Sequence, residues 1–252
     1  MHIHLFPYMD DNYGVLLHCP DTGQTAAIDA GDCAAYLNAA EHTGWNITQI
    51  WVTHHHGDHV AGLAELAQTT NAIIFAPHRI ASTIDGAKTC VDGDKIAFAG
   101  TDVEVIATPG HTLDMLNYHV PSQRVLFSGD TLFTLGSGRL FEGTPEMMWA
   151  SLSKLMALPD ETMVYGSHEY SVANAAFAVT VDPDNTLLKD RQIEILAARD
   201  RGEPTVPSPL AIEKKTNPFL RASDTSIRAH LGMQPASDAE VFAEIRSRKN
   251  AF

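Results

Sequence analysis

The sequence predicts a layered α/β protein with a helical C-terminal part, on three observations. Short segments rich in β-branched and apolar residues recur through the first two thirds of the chain and read as strands. Helical patterns separate some of these segments but not others, so hairpins are mixed with crossovers, which fits stacked layers better than a purely parallel doubly wound sheet. After about residue 170 the strand signals fade, and Ala, Leu, Ile, Arg, Lys and Glu dominate.

In chain order, strands are expected at 13–19, 25–29, 47–53, 71–76, 95–98, 102–107, 116–120, 124–128 and 162–165. A helix is expected over 32–43, where Asp32 caps the start and Gly44 follows the end. A second spans 145–158, with Thr144 before Pro145 and Pro159 as the stop. A third runs from Leu187 to Arg201, with Leu188, Ile195 and Leu196 set among charges. The run Glu203-Pro-Thr-Val-Pro-Ser-Pro209 carries three prolines and reads as an irregular connection.

Composition bounds the function. A chain of 252 residues that is 44% hydrophobic fills a real core. Its net charge of −14 repels phosphates and argues against nucleic acid and anionic membrane surfaces as partners. The start, Met1 to Asp10, lacks the basic and apolar regions of a secretory signal, and no run reaches membrane-spanning length, so a cytoplasmic monomer is expected. Cys19, Cys33 and Cys90 are odd in number and widely spaced, which suggests neither a disulfide framework nor a thiolate metal site.

The chemistry concentrates in Ile50-Trp-Val-Thr-His-His-His-Gly-Asp-His-Val60, an apolar strand running into His54, His55, His56, Asp58 and His59. Alternate side chains of extended chain share a face, so His54 and His56 can meet at one ion while His55 points away and supports its neighbours. A helix beginning near Asp58 would turn that carboxylate and His59 toward a second ion. Taken alone, the cluster also fits a surface histidine tract. Three further strand ends lower that reading, because each delivers one ligand-type residue: His111, Asp130 and His168. The seven divide as His54, His56 and His111 on one ion and Asp58, His59 and His168 on the other, with Asp130 bridging. Imidazole and carboxylate donors suit two divalent ions, zinc first, iron or manganese next. His2, His4, His18, His42, His78, His119 and His230 lie apart and are expected to be surface or structural.

Thr53-His-His-His-Gly-Asp-His59, Thr108-Pro-Gly-His-Thr-Leu113, Gly129-Asp-Thr-Leu-Phe133 and His168-Glu-Tyr170, in this order, resemble the metallo-β-lactamase superfamily. Gly136-Ser-Gly-Arg-Leu-Phe-Glu-Gly143, Asn174 and Arg246-Ser-Arg-Lys249 narrow the resemblance to the glyoxalase II (hydroxyacylglutathione hydrolase) family. The resemblance implies a four-layer αββα sandwich over residues 1–168 and a helical glutathione-binding domain over 169–252. It also implies hydrolysis of S-(2-hydroxyacyl)glutathione, with Asp58 and Asp130 as the catalytic carboxylates. Arg139, Phe141, Tyr170, Arg246 and Lys249 are the implied substrate contacts, the basic ones pairing with glutathione carboxylates. Water between two such ions would be strongly acidified, toward a pKa of roughly 7.

Three positions depart from the family pattern. Gly57 stands where a bulky residue or histidine is common, Asp114-Met115 replaces Gly-His, and Phe141 replaces tyrosine. The second departure predicts altered hydrogen bonding around His111. Rival readings are a persulfide dioxygenase or a lactonase of the same superfamily and, from another class, a non-catalytic metal-dependent binding protein.

Overall fold

The structure, a computed structural model, describes residues Met1–Phe252. The chain folds as two compact units: Met1–Ala107 with Asp114–Gly129, and Thr108–Leu113 with Asp130–Phe252.

In the first unit, strands β1 (His2–Tyr8), β2 (Asn12–His18) and β3 (Thr25–Ile28) are antiparallel neighbours. Helix α1 (Cys33–Thr43) then crosses over to β4 (Ile47–Trp51), which lies parallel to β3. Asp32 caps α1 by accepting from Ala35 N at 3.1 Å, and Gly44 closes it in the left-handed region, as its sequence predicts. Helices α2 (Gly57–Val60) and α3 (Leu63–Thr70) lead to β5 (Ile73–Pro77), and α4 (His78–Ala81) leads to β6 (Lys88–Cys90). The first sheet therefore runs in chain order from β1 to β6.

Strands β7 (Lys95–Phe98), β8 (Thr101–Ala107), β9 (Leu116–Val120) and β10 (Val125–Gly129) form an antiparallel meander in a second sheet. Alternation along β4 places Ile50, with Val52 beyond it, against Tyr36, Leu63 and Leu66 of the helical layer. Trp51 points the other way and meets Phe98 edge-on at 5.2 Å, with Tyr118 and Phe127 at 5.7 and 6.3 Å. Such aromatic contacts add about 0.5–1.5 kcal/mol each beyond burial, and here they join the two sheets face to face. Cys19, Cys33 and Cys90 are all buried and free.

The second unit holds a short hairpin, β11 (Leu132–Phe133) with β12 (Gly136–Ser137), then α5 (Pro145–Met156), capped by Thr144, and β13 (Met163–Gly166). Helices α6 (Ser171–Val181) and α7 (Thr186–Asp200) follow. After them come β14 (Ser208–Pro209), α8 (Leu210–Thr216), α9 (Thr225–Leu231) and α10 (Asp238–Ala251). Leu135, Ala175, Ala178, Leu188 and Ile195 pack the hairpin against α6 and α7. Ser237 and Glu240 form a capping box at the start of α10, and Trp149 of α5 tilts against Phe242 at 6.3 Å.

Several elements differ from the sequence reading. β1 and β6 are strands although their sequences carry little alternation. β1 has an outward Pro7 and four aromatic or imidazole rings at an edge, where pairing with β2 decides its conformation. The proline-rich run ends in β14, which pairs with β13 rather than staying wholly irregular.

Candidate metal centre

The first unit gathers its ligand-type residues where β4 ends. Chain leaves Trp51 in extended form and turns into α2 at Gly57, so four ligand-type side chains follow one another on a short path. His54 and His59 are buried, and their rings lie 4.1 Å apart. His54 Nε2 is 3.0 Å from His56 Nδ1. Two imidazole nitrogens bound at about 2.0–2.1 Å to one tetrahedral ion stand roughly 3.3 Å apart, so the pair is nearly in place for one.

Asp29 organises this segment and was not foreseen from the sequence. It follows β3, is 3% exposed and has φ of 62°, an unusual conformation for a residue other than glycine. Its carboxylate accepts from Thr53 N at 2.7 Å and from the Thr53 hydroxyl at 2.9 Å, and it lies 2.8 Å from His59 Nδ1. The Thr53 oxygen is in turn 3.0 Å from His54 Nδ1. Asn12 donates to Asp58 Oδ2 at 3.0 Å and the Tyr8 hydroxyl to the Asp58 carbonyl at 2.8 Å, two further supports that the sequence reading missed. Gly31 lies so near that a Cβ there would stand 1.8 Å from the backbone carbonyl oxygen of Asp58.

His55 points away from this group, as expected, and its Nδ1 lies 2.9 Å from Asp114 Oδ1. The Asp114 departure is thereby explained as an imidazole–carboxylate pair, while Met115 is core. The expected disturbance around His111 is corrected: its Nδ1 donates to the Arg139 carbonyl at 2.8 Å, a backbone acceptor that residues 114 and 115 do not supply. At Gly57 a side chain would meet open space, so its absence loosens no packing. His119 is buried against Glu104 at 2.9 Å and His230 bonds the Thr180 carbonyl, both structural as expected.

The second unit gathers His111, Asp130 and His168. Asp130 Oδ2 lies 3.4 Å from His111 Nε2, and Oδ1 lies 3.4 Å from His168 Nε2, so one carboxylate faces two imidazoles with different oxygens. These contacts test the fit of a cation. A carbonyl only accepts, so neutral His111 carries its proton on Nδ1 and offers a lone pair at Nε2. That lone pair confronts a carboxylate oxygen, a repulsive arrangement that a cation between them makes attractive. The same holds in the first unit, where His59 gives Nδ1 to Asp29 and Nε2 lies 3.3 Å from Asp58 Oδ2. The donor set, imidazoles with carboxylates, is one for divalent metal ions.

Around the second unit's ligand-type residues lie the remaining candidates. Tyr170 stacks on His168 with planes 2° apart at 4.8 Å, and Phe141, largely exposed, meets His111 edge-on at 5.2 Å. Arg139 is exposed above the Phe141 ring. Arg246 is 7% exposed, donates to the Ser137 carbonyl at 3.0 Å and lies over Phe219, so its guanidinium is held within the fold. Burial and then the Arg139 charge lower its pKa to about 10. Lys249 donates to the Ala173 carbonyl, and burial followed by the Arg246 charge brings its pKa down to about 8. Burial is the larger cause in both and a neighbouring cation the smaller, and a bound anion would raise both again.

Comparison with known proteins divides the chain at residue 168, inside the second compact unit. Residues 15–168 match the metallo-beta-lactamase superfamily, and residues 169–252 match the hydroxyacylglutathione hydrolase C-terminus. The chain is 54% identical to the hydroxyacylglutathione hydrolase of Rhizobium meliloti (strain 1021), over all of this chain and 99% of that one. It is 52% identical to the protein of the same name in Maricaulis maris (strain MCS10), over 99% and 98% of the two. Among solved structures it resembles ETHE1 from Myxococcus xanthus, with a TM-score of 0.72 and 24% identity, covering 99% of this chain and 92% of that one. It also resembles the BLEG-1 B3 metallo-beta-lactamase, with a TM-score of 0.65 and 19% identity over 87% and 99%. At these identities the structural likeness shows the fold alone.

Proposed function

The chain belongs to the metallo-beta-lactamase superfamily and, within it, to the hydroxyacylglutathione hydrolases, and from that membership we propose that it hydrolyses S-(2-hydroxyacyl)glutathione thioesters to glutathione and a 2-hydroxy acid. S-D-lactoylglutathione, giving D-lactate in the second step of methylglyoxal detoxification, is the substrate this reading names. The observation that carries it is full-length identity of about half to curated hydroxyacylglutathione hydrolases, which does not favour a persulfide dioxygenase, a lactonase or a non-catalytic binding protein.

His54, His56 and His111 would hold one ion, Asp58, His59 and His168 the other, and Asp130 both. The two oxygens that Asp130 turns to His111 and His168 support the bridging role. Bound there, two divalent ions, zinc by preference, would supply Lewis acidity, making water nucleophilic near neutral pH and polarising the thioester carbonyl. Asp58 acts as a ligand more than as a base. Asp29, the Arg139 carbonyl and Thr53 fix which nitrogen each imidazole presents. Arg139, Arg246 and Lys249 would attract the carboxylates of the glutathione moiety, with Tyr170 and Phe141 beside the acyl end. On this reading residues 169–252 are the substrate-binding domain and residues 1–168 the catalytic one, in a cytoplasmic monomer. No helix is long and apolar enough to cross a membrane.

Asp130→Ala tests the bridge. It is expected to hold fewer than two metals per chain by elemental analysis and to lose hydrolysis of the glutathione thioester. Two metals and wild-type turnover in that variant would overturn the assignment.

A further inference from the structure

The β11–β12 hairpin has two residues in each strand, too few to hold a shape by itself. Its tip nevertheless adopts a specific conformation, with Leu135 at φ of 56° and fully buried. Side chains of the C-terminal helices bond the backbone groups that this tip presents. Asn217, at the end of α8, donates through Nδ2 to the Gly136 carbonyl at 3.0 Å and the Phe133 carbonyl at 3.3 Å. Asn174 of α6 donates to the Thr134 carbonyl at 3.0 Å. Glu213 of α8 accepts from Leu135 N at 3.0 Å, and Arg246 of α10 reaches the Ser137 carbonyl. Glu213 is wholly buried and is fixed in turn by Arg191, Ser208 and Asn217.

Both ends of this hairpin lead to the metal centre. Asp130 precedes it. After it, Gly138 N donates to the Thr131 carbonyl at 3.2 Å, and a Cβ on Gly138 would stand 2.0 Å from the backbone carbonyl oxygen of Asp130. The next residue, Arg139, supplies the carbonyl that fixes His111. We infer that Asn217 and Glu213, with Asn174, are positioning residues for the metal centre: they clamp hairpin 132–137 and so set Asp130 and the Arg139 carbonyl relative to His111 and His168. The C-terminal helices then act on the metals as well as on any substrate. The inference rests on the reading of Asp130, His111 and His168 as ligands.

The test measures zinc affinity in metal-stripped protein by competition with a chromophoric chelator, beside the thermal midpoint of the same metal-free protein. Asn217→Ala is expected to weaken zinc binding about 10-fold or more, the size of effect seen when a ligand loses its outer hydrogen-bond partner. Arg221→Ala is the control, since it breaks ion pairs with Asp182 and Asp224 in the same unit and touches no part of the hairpin. Weakening confined to Asn217→Ala supports the clamp. Wild-type affinity in Asn217→Ala overturns it, as does weakening in both variants in proportion to their lowered midpoints. If Asn217→Ala does not fold, Asn174→Ala removes the Thr134 bond alone; weakened zinc binding there supports the clamp and unchanged binding overturns it. A wild-type protein that binds no zinc overturns the ligand assignment itself, and the clamp with it.

Discussion

His59 leans on the Asp29 carboxylate, His111 on the Arg139 carbonyl and His54 on the Thr53 hydroxyl, so three ligand-type imidazoles have Nδ1 engaged and turn Nε2 toward another ligand-type group. The proposed ligands themselves stand out in the sequence, because clustered histidines at strand ends have few structural uses. Asp29 does not, since an aspartate after a short strand looks like a turn residue. Its role depends on the parallel pairing of Ile28 with Trp51, which brings position 29 beside Thr53, and no local pattern encodes that register. Lys249 yields a prediction at this scale. In the free protein its ammonium is lost as pH rises through about 8, whereas a bound carboxylate would hold the proton on. KM for the glutathione thioester should therefore rise above that pH while kcat holds. Lys249→Met should raise KM at pH 7 by about 5-fold, the loss of one partly exposed ion pair of roughly 1 kcal/mol, and flatten the alkaline rise. An unchanged KM and profile in steady-state kinetics would remove Lys249 from the substrate contacts.

Elements with their own start and stop chemistry were legible, and those made by pairing were not. Asp32 and Gly44 bound α1, and Thr144 with Pro145 opens α5, each marked in sequence by residues whose side chain or backbone preference acts locally. β1, β6 and β14 are short edge or proline-bearing segments that become strands only against β2, β5 and β13. The α10 capping box matters because that helix buries Val241, Phe242 and Ile245 and carries Arg246 and Lys249. Ser237→Ala should cost about 1 kcal/mol and lower the thermal midpoint by about 2–4 °C, measured by circular dichroism. A midpoint equal to wild type would mean that packing against α5, rather than the cap, holds the helix.

At the scale of the whole molecule, a net charge of −14 coexists with a cationic cluster of Arg139, Arg246 and Lys249 in the second unit. An acidic protein that takes an anionic thioester must concentrate positive charge locally, and the background field tunes how strongly it does so. The layered fold was legible because alternation, crossovers and the change of composition near residue 170 all point one way. Pairing of Asp114 with His55 was not, because it joins residues far apart in the chain. The central claim, a glutathione-thioester hydrolase, is tested most directly by the fall in thioester absorbance when zinc-loaded protein meets S-D-lactoylglutathione. A lactoyl thioester lacking the glutathione moiety is run in parallel. The account predicts chelator-sensitive cleavage, with kcat/KM for the truncated ester lower by about 10-fold or more. No cleavage of the glutathione ester by protein verified to carry two metals would contradict it.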